Sequence, residues 1–304
     1  MTTEDHCVSV VIPNYNNARY IVQAIESVYI QRFRIFECIV VDDGSTDNSI
    51  ALLDSLTKKY SSLKVLQQVN GGPSKARNKG WMEAKGDLVA FLDADDLWKI
   101  DKLEKQVKLM QAENADVVTS QYVWFDGKNK ILNPQINREP IIPFDFWFDT
   151  YFSPSGVLLK KEVLISVGGW DEELWGCEDM DLWFRCALSG YKFSIVNSND
   201  VLIRSHANNS KGNYLKMYQN HLLSLNKWVE LIKDIKLSKK DTKLYINAVR
   251  KKLSKMRYYA TILEDRKAIK QTFYFGIRCV GFRFLFDKLT LRQLYRSFSS
   301  NLKI

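Results

Sequence analysis

The sequence predicts an α/β protein with a mostly parallel sheet flanked by helices, followed by a basic helical extension. Three observations carry that expectation. Strand-like apolar runs and helical periodicities alternate four times in the first hundred residues. Polar clusters sit just after those runs, at Asn14-Tyr15-Asn16, Asp42-Asp43 and Asp93-Ala94-Asp95. Charge also divides near residue 210: residues 1–210 hold 22 Lys/Arg against 29 Asp/Glu, and residues 211–304 hold 22 against 6. The expected division is therefore a body over 1–210, with halves at about 1–98 and 99–210, and an extension over 211–304.

Val8-Ser9-Val10-Val11-Ile12 is a short β-branched run ended by Pro13-Asn14, and reads as a strand buried on both faces. Ile21, Val22, Ile25, Val28 and Tyr29 recur at helical spacing, which predicts a helix over 18–31. Phe36 to Val41 is a second strand, stopping at Asp42-Asp43-Gly44-Ser45; Asp47 caps a helix over 48–60. Leu63 to Gln67 is the third strand, a helix follows over 73–85, and Leu88 to Leu92 is the fourth strand. Further on come a helix over 100–114, a strand from Asp116 to Trp124, and a loop with Pro134, Pro140 and Pro143. A strand over 155–160, a break at Gly168-Gly169-Trp170, a helix to about 189 and a strand over 191–197 complete the body. From Asn213 onward the pattern is helical and basic. Strands alternating with helices imply right-handed crossovers, and open sheets of this kind bind ligands at the carboxyl ends of their strands. The three polar clusters form one site if their strands are neighbours.

A charged fraction of 26% and an apolar fraction of 46% exclude disorder as the main state. Five cysteines, odd in number and without a C-x-x-C pair, argue against a disulfide framework and for a reducing compartment. The polar start and the short apolar run after it do not read as a signal peptide, and no stretch has the roughly 18–20 apolar residues needed to span a bilayer. The expectation is a cytoplasmic protein whose membrane contact, if any, is peripheral.

Asp93-Ala94-Asp95-Asp96 concentrates three carboxylates at a strand end, where like charges repel unless a cation relieves them. Magnesium or manganese suits carboxylate oxygens and keeps water and phosphate as further ligands. One of the three acids could instead cap a helix starting near residue 97. A turn and helix cap accounts for Gly44, Ser45 and Asp47 but leaves Asp42 without a role; an exposed carboxylate there could accept hydrogen bonds from a base N–H.

Ser9-Val10-Val11-Ile12-Pro13-Asn14-Tyr15-Asn16, Val41-Asp42-Asp43-Gly44-Ser45-Thr46-Asp47, Ala76-Arg77-Asn78-Lys79-Gly80, Leu92-Asp93-Ala94-Asp95-Asp96 and Glu178-Asp179 occur in this order. Together they closely resemble the family 2 glycosyltransferases over residues 7–210. The resemblance implies the GT-A fold, with a Rossmann-like nucleotide-binding half, and an inverting transfer from a nucleotide-sugar donor, a UDP-sugar by default, to a glycan or lipid-linked acceptor. It implies that Pro13 and Tyr15 line the nucleotide pocket, Asp42 contacts the base and Arg77 approaches the nucleotide. Asp93 would touch the ribose or the metal region, Asp95 would bind Mn2+ or Mg2+, and Asp179 would be the catalytic base. Relatives carry a pair comparable to Arg204 and His206 near the leaving phosphates, which makes His206 a metal-ligand candidate and Arg204 a diphosphate partner. The Gly168–Glu172 segment resembles the acceptor side, where Trp170 either stacks on a sugar or is core and Glu178 stands beside the base. Such a chemistry needs one base for the acceptor hydroxyl proton and stabilisation of the departing diphosphate. Asp181 reads as a first-turn helix acid.

In the extension, Leu244, Val249, Leu253, Met256, Ile262 and Leu263 alternate with Lys and Arg, followed by Phe273-Tyr274-Phe275, Ile277, Val280, Phe282, Phe284, Leu285 and Phe286. Basic and aromatic residues at that density suit an anionic membrane surface, with packing on the body or in a homodimer as the alternative. Two other classes fit less well. A nicotinamide dehydrogenase needs G-x-G-x-x-G after the first strand, where Pro13-Asn14-Tyr15-Asn16 has no glycine. A non-catalytic nucleotide- or nucleic-acid-binding protein would use the tail but leave five motifs idle, so no nucleic acid partner is expected.

Overall fold

The computed structural model describes residues 6–126, 131–134, 143–147, 152–205, 214–263 and 265–280. The chain divides into two compact units, Met1–Lys211 and Gly212–Ile304.

In the first unit, the apolar runs read from the sequence become β1 (Val8–Asn14), β2 (Glu37–Asp42), β3 (Leu63–Gln67) and β4 (Leu88–Phe91). They pair in parallel in the order β3-β2-β1-β4. Every residue of β2 and β4 is buried, which is why these strands are apolar without alternation: helices cover both faces. The intervening helices are α1 (Ile21–Tyr29), α2 (Ser49–Lys59) and α3 (Pro73–Glu83). The helix α3 lies against β1 at Gly80, where a Cβ would fall 2.3 Å from a Val11 methyl.

The sheet continues from β4 through β8 (Val157–Lys160), antiparallel, to β6 (Val117–Phe125) and then β9 (Phe193–Arg204), parallel to β6, with β5 (Leu97–Trp98) at the edge and β7 (Ile131–Pro134) on β6. The helices α4 (Lys102–Glu113), α5 (Lys161–Val167) and α6 (Glu178–Leu188) complete this half. Several details depart from expectation, among them β7 and a 3-10 turn at Pro143–Trp147 in the segment expected as a loop. Residues 97–98 pair with β9 instead of opening a helix, so the acidic cluster caps nothing there. The strand β9 runs on to Arg204, because its second half pairs with Gln121–Phe125. The helix α5 was not foreseen; its seven residues end at Gly168 in the left-handed conformation, φ 80°.

The second unit contains α7 (Tyr214–Ile232), α8 (Lys239–Ile262) and α9 (Arg266–Val280), with α8 packed on both neighbours. Ser238 starts α8: its Oγ accepts the Asp241 N–H at 3.1 Å and donates to the Asp241 carboxylate at 2.6 Å. Val249, Leu253 and Met256 are buried with Leu225 and Trp228, so these apolar positions of the tail form a helical core. Tyr258 and Tyr274, with Lys240, Lys243, Lys251, Lys267 and Lys270, are exposed. The aromatic run from Phe282 to Phe286 lies outside the described residues.

Candidate functional site

Strands β2, β1 and β4 are neighbours, so the three polar clusters converge. Asn14 stands opposite Asp42 in the β1–β2 register. Asp42 is not the exposed carboxylate expected: it is 2% exposed. Its Oδ1 accepts the Asn14 Nδ2–H at 2.7 Å and the Ser45 hydroxyl at 2.6 Å, and its Oδ2 accepts the Ser45 N–H at 2.9 Å. These three bonds leave part of Oδ2's acceptor capacity for a base N–H. Asn16, at φ 52°, offers its Oδ1 to the Thr46 N–H, and Asp47 accepts from Ala18 N–H and Ser49 N–H, so the two loops are laced together. Pro13 is half-buried and the Tyr15 ring remains accessible at 47%. Asp43 is buried as well and closes on the loop before α3: its carboxylate accepts the Gly71 and Gly72 N–H groups and the Gln68 amide, each at 2.8 Å.

At the end of β4 the acidic turn is held from two sides. The Ser155 hydroxyl accepts the Asp93 N–H at 3.0 Å and donates to Asp96 Oδ2 at 2.6 Å. From β9, the Arg204 N–H reaches Asp96 Oδ1 and the Arg204 Nε–H reaches the Asp95 carbonyl at 2.8 Å. Burial pushes the Asp96 carboxyl well above the usual range, and the charges of Asp95 and Asp93 push it further. Asp93 and Asp95 are half-buried. The Arg204 guanidinium is enclosed between the Tyr20 and Phe125 rings and bonded to Gln23, which corrects its expected place on a diphosphate. His206 lies outside the described residues, two positions past the Arg204 anchor.

Arg77, on α3, links this turn to α6. Its Nη2 donates to Asp93 Oδ1 at 2.7 Å and its Nη1 lies 3.7 Å from Glu178 Oε1. Its guanidinium carbon stands 4.6 Å above the Trp170 ring. Trp170 is 2% exposed, set edge-on against Phe91 and Trp183, so the reading of it as a sugar-stacking acceptor residue is corrected: it is core and carries Arg77. Glu178 and Asp179 open α6. Burial, then the neighbouring Glu178 charge, raise the Asp179 carboxyl to about 7; the Met180 N–H and Arg77 oppose them. Asp181 is spent on Arg185, one helical turn on, at 2.6 Å.

Of the site residues read from the sequence, Asp93, Arg77, Glu178 and Asp179 form one network, and Pro13, Tyr15 and Asp42 lie together at the ends of β1 and β2. Sequence reasoning gave no role to Asn14, Asn78 or Ser155, and gave Ser45 only a part in a turn and cap. Asn14, Ser45 and Asn78 lay inside quoted motifs; Ser155 carried no local signal, because its partners are about 60 positions away. Among the described residues no group of three or more His, Cys, Asp or Glu is disposed around a metal position. The donor chemistry of the turn nevertheless fits a hard cation: it offers carboxylate oxygens, with Asp93 and Asp95 half-buried in the same turn. Magnesium and manganese are commonly held by one or two carboxylates plus substrate phosphate, so Asp95 with Asp93 would suffice.

The mostly parallel sheet, flanked by helices and with its polar clusters at adjacent strand ends, matches the GT-A fold of glycosyltransferases. The sequence profile of Glycosyl transferase family 2 matches residues 9–168, and the chain belongs to that family. An uncharacterised glycosyltransferase of Nostoc sp. is 33% identical over 215 residues, 67% of this chain and 66% of that protein. The amylovoran biosynthesis glycosyltransferase AmsB of Erwinia amylovora is 32% identical over 205 residues, covering 64% and 68%. Against GlyG of Streptococcus pneumoniae, 38% identical over 120 residues, the alignment spans 39% of this chain and 40% of the relative. Among solved structures, S. aureus TarS 1–349 in complex with UDP-GlcNAc covers 90% of this chain and 89% of its own, with TM-score 0.62 and 20% identity. The mannosyltransferase PcManGT of Pyrobaculum calidifontis, with GDP-Man and Mn2+, covers 98% and 87% at TM-score 0.58 and 19% identity. At such identities the two structures establish the fold.

Proposed function

We propose that this chain is an inverting hexosyltransferase of cell-surface polysaccharide synthesis, moving a sugar from a nucleoside diphosphate sugar, by default a UDP-sugar, to a glycan or lipid-linked hydroxyl. The observation that carries the reading is the Asp93–Arg77–Glu178/Asp179 network, which joins the acidic turn of one half to a carboxyl poised near neutrality in the other. Tyr15 and Pro13 face the base, and Asp42, through its remaining Oδ2 capacity, fixes it. Arg77 lies along the diphosphate, and Asp93 and Asp95 stand where the ribose and phosphates pass. In the displacement, the acceptor oxygen forms a bond to the anomeric carbon as the bond to the diphosphate oxygen breaks, and Asp179 takes the hydroxyl proton. A single displacement inverts the anomeric centre and needs no covalent nucleophile. Asp95, Asp93 and His206 would hold Mn2+ or Mg2+, which supplies Lewis-acid stabilisation of the departing diphosphate when bound. Glu178 lines the acceptor side next to Asp179.

Five free cysteines agree with work in the cytoplasm, and the Lys- and Tyr-bearing surfaces of α8 and α9 suit the anionic cytoplasmic face of the membrane, where lipid-linked acceptors are found. No helix among the described residues is long and apolar enough to cross a membrane. A panel of UDP-, GDP- and dTDP-sugars with manganese tests the transfer reading. One donor should stabilise the protein thermally and turn over. Asp95→Ala should lose the manganese-dependent part of that stabilisation, and Asp179→Asn should bind the donor without turning it over. Absence of binding and turnover across the panel would sink it.

A further inference from the structure

The side chain of Asn78, 5% exposed, uses its whole carboxamide. Its Oδ1 accepts the Trp170 N–H and the Trp81 indole N–H, both at 2.9 Å. Its Nδ2 donates to the Trp170 carbonyl at 2.8 Å and to Glu172 Oε1 at 2.9 Å. Two acceptor and two donor bonds on one head are what an amide provides and a carboxylate or hydroxyl does not. The segment it grips is also shaped to be gripped. Gly169 sits at φ 68°, and a Cβ there would fall 2.7 Å from Asn78 Oδ1 and 2.8 Å from the Trp81 ring. Asn78 thus joins α3 to the strand of chain that leads into α6, 92 positions away, and does so through both main-chain polar groups of Trp170.

The Trp170 ring is the surface on which the Arg77 guanidinium rests at 4.6 Å, and Arg77 in turn spans Asp93 and Glu178. The Arg77 Nε and Nη1, the Trp170 Nε1 and the Glu178 Oε2 are buried without hydrogen-bond partners, so the network is aimed at polar groups the protein itself does not supply. We infer that Asn78 is a positioning residue for sugar transfer: by clasping the main chain of Trp170 it fixes the indole that sets the Arg77 guanidinium between Asp93 and the Glu178–Asp179 pair. This rests on the transferase reading above. Held in place, Arg77 faces the negative charge that grows on the departing diphosphate, so misplacing it acts on the transition state more than on donor binding.

The test compares wild type, Asn78→Ala and Asn78→Gln. For Asn78→Ala, kcat should fall at least tenfold while donor KM stays within threefold, and the acidic limb of the pH–rate profile should move to higher pH. That shift follows because Arg77 is the charge that opposes burial and Glu178 at Asp179. Asn78→Gln, which keeps the amide, should recover part of kcat. The idea is overturned if the folded Asn78→Ala protein keeps the wild-type kcat and pH limb, or loses activity only in proportion to its unfolded fraction. Near-UV circular dichroism separates this failure from failure of the transferase reading. The Trp170 contribution, taken as wild type minus Trp170→Phe, should vanish in Asn78→Ala even if no donor is ever found, and its persistence overturns the clasp.

Discussion

Asp179 combines a buried site, a like-charged neighbour and a cation close by, and the balance leaves its carboxyl at about 7. A general base works only when ionised, so activity should rise with pH through the region around 7 and level off above it. Asp179→Asn should lower turnover by about 10²–10⁴-fold and abolish that limb, with donor affinity nearly unchanged, measured by steady-state kinetics and calorimetry. At this scale the sequence was partly legible. Asp93, Arg77, Glu178 and Asp179, which the structure brings into one network, all stand in motifs the sequence displays. Burial was not legible: Asp42 sits beneath Asn14 and Ser45, and Trp170 beneath Arg77. Whether a polar side chain after a strand faces solvent depends on partners 28 to 92 positions distant, as Asn14 to Asp42 and Asn78 to Trp170 illustrate.

Elements were legible where one periodicity ran unbroken. Strands β1 to β4 and helices α1 to α3 fall within a few residues of their predicted limits: β1, β2 and β4 have buried apolar centres and α1 an apolar stripe, while α3, which buries Ser74, Arg77 and Asn78, is bounded by Pro73. The errors cluster where pairing is long-range: β5 is two residues that become a strand only by meeting β9, and β9 is extended by β6. The close seat of α3 on β1 is testable. Gly80→Ala places a Cβ 2.3 Å from Val11 Cγ1, and α3 must lift or Val11 must leave its rotamer. Overpacking of this kind costs about 1–3 kcal/mol, which a urea titration would read as a lower midpoint. Because Arg77 sits one turn before Gly80 on the same helix, the variant should also lower kcat while donor KM changes little.

On the scale of the whole molecule, charge is the organising quantity. The acidic body carries the site, while residues 211–304 hold 22 Lys/Arg against 6 Asp/Glu. The division near residue 210 was legible because composition changes abruptly there; the internal core of the basic unit was not, since Val249, Leu253 and Met256 read equally well as an interfacial face. Their burial leaves the exposed Lys and Tyr to carry the membrane contact proposed above. The full chain should therefore co-sediment with vesicles containing anionic lipid, remain free of purely zwitterionic ones, and be released as salt rises, since each basic residue near such a surface contributes about 1 kcal/mol and is screened. Binding that ignores lipid charge would remove the tail from this role.

The grip of Asp43 on Gly71 and Gly72 bears on what the protein ignores. Glycine amides at the start of a helix commonly seat a phosphate. Here the seat is filled by a tethered carboxylate, so inorganic phosphate must displace a covalently local competitor to settle there. That helix start is closed to free anions before any substrate arrives.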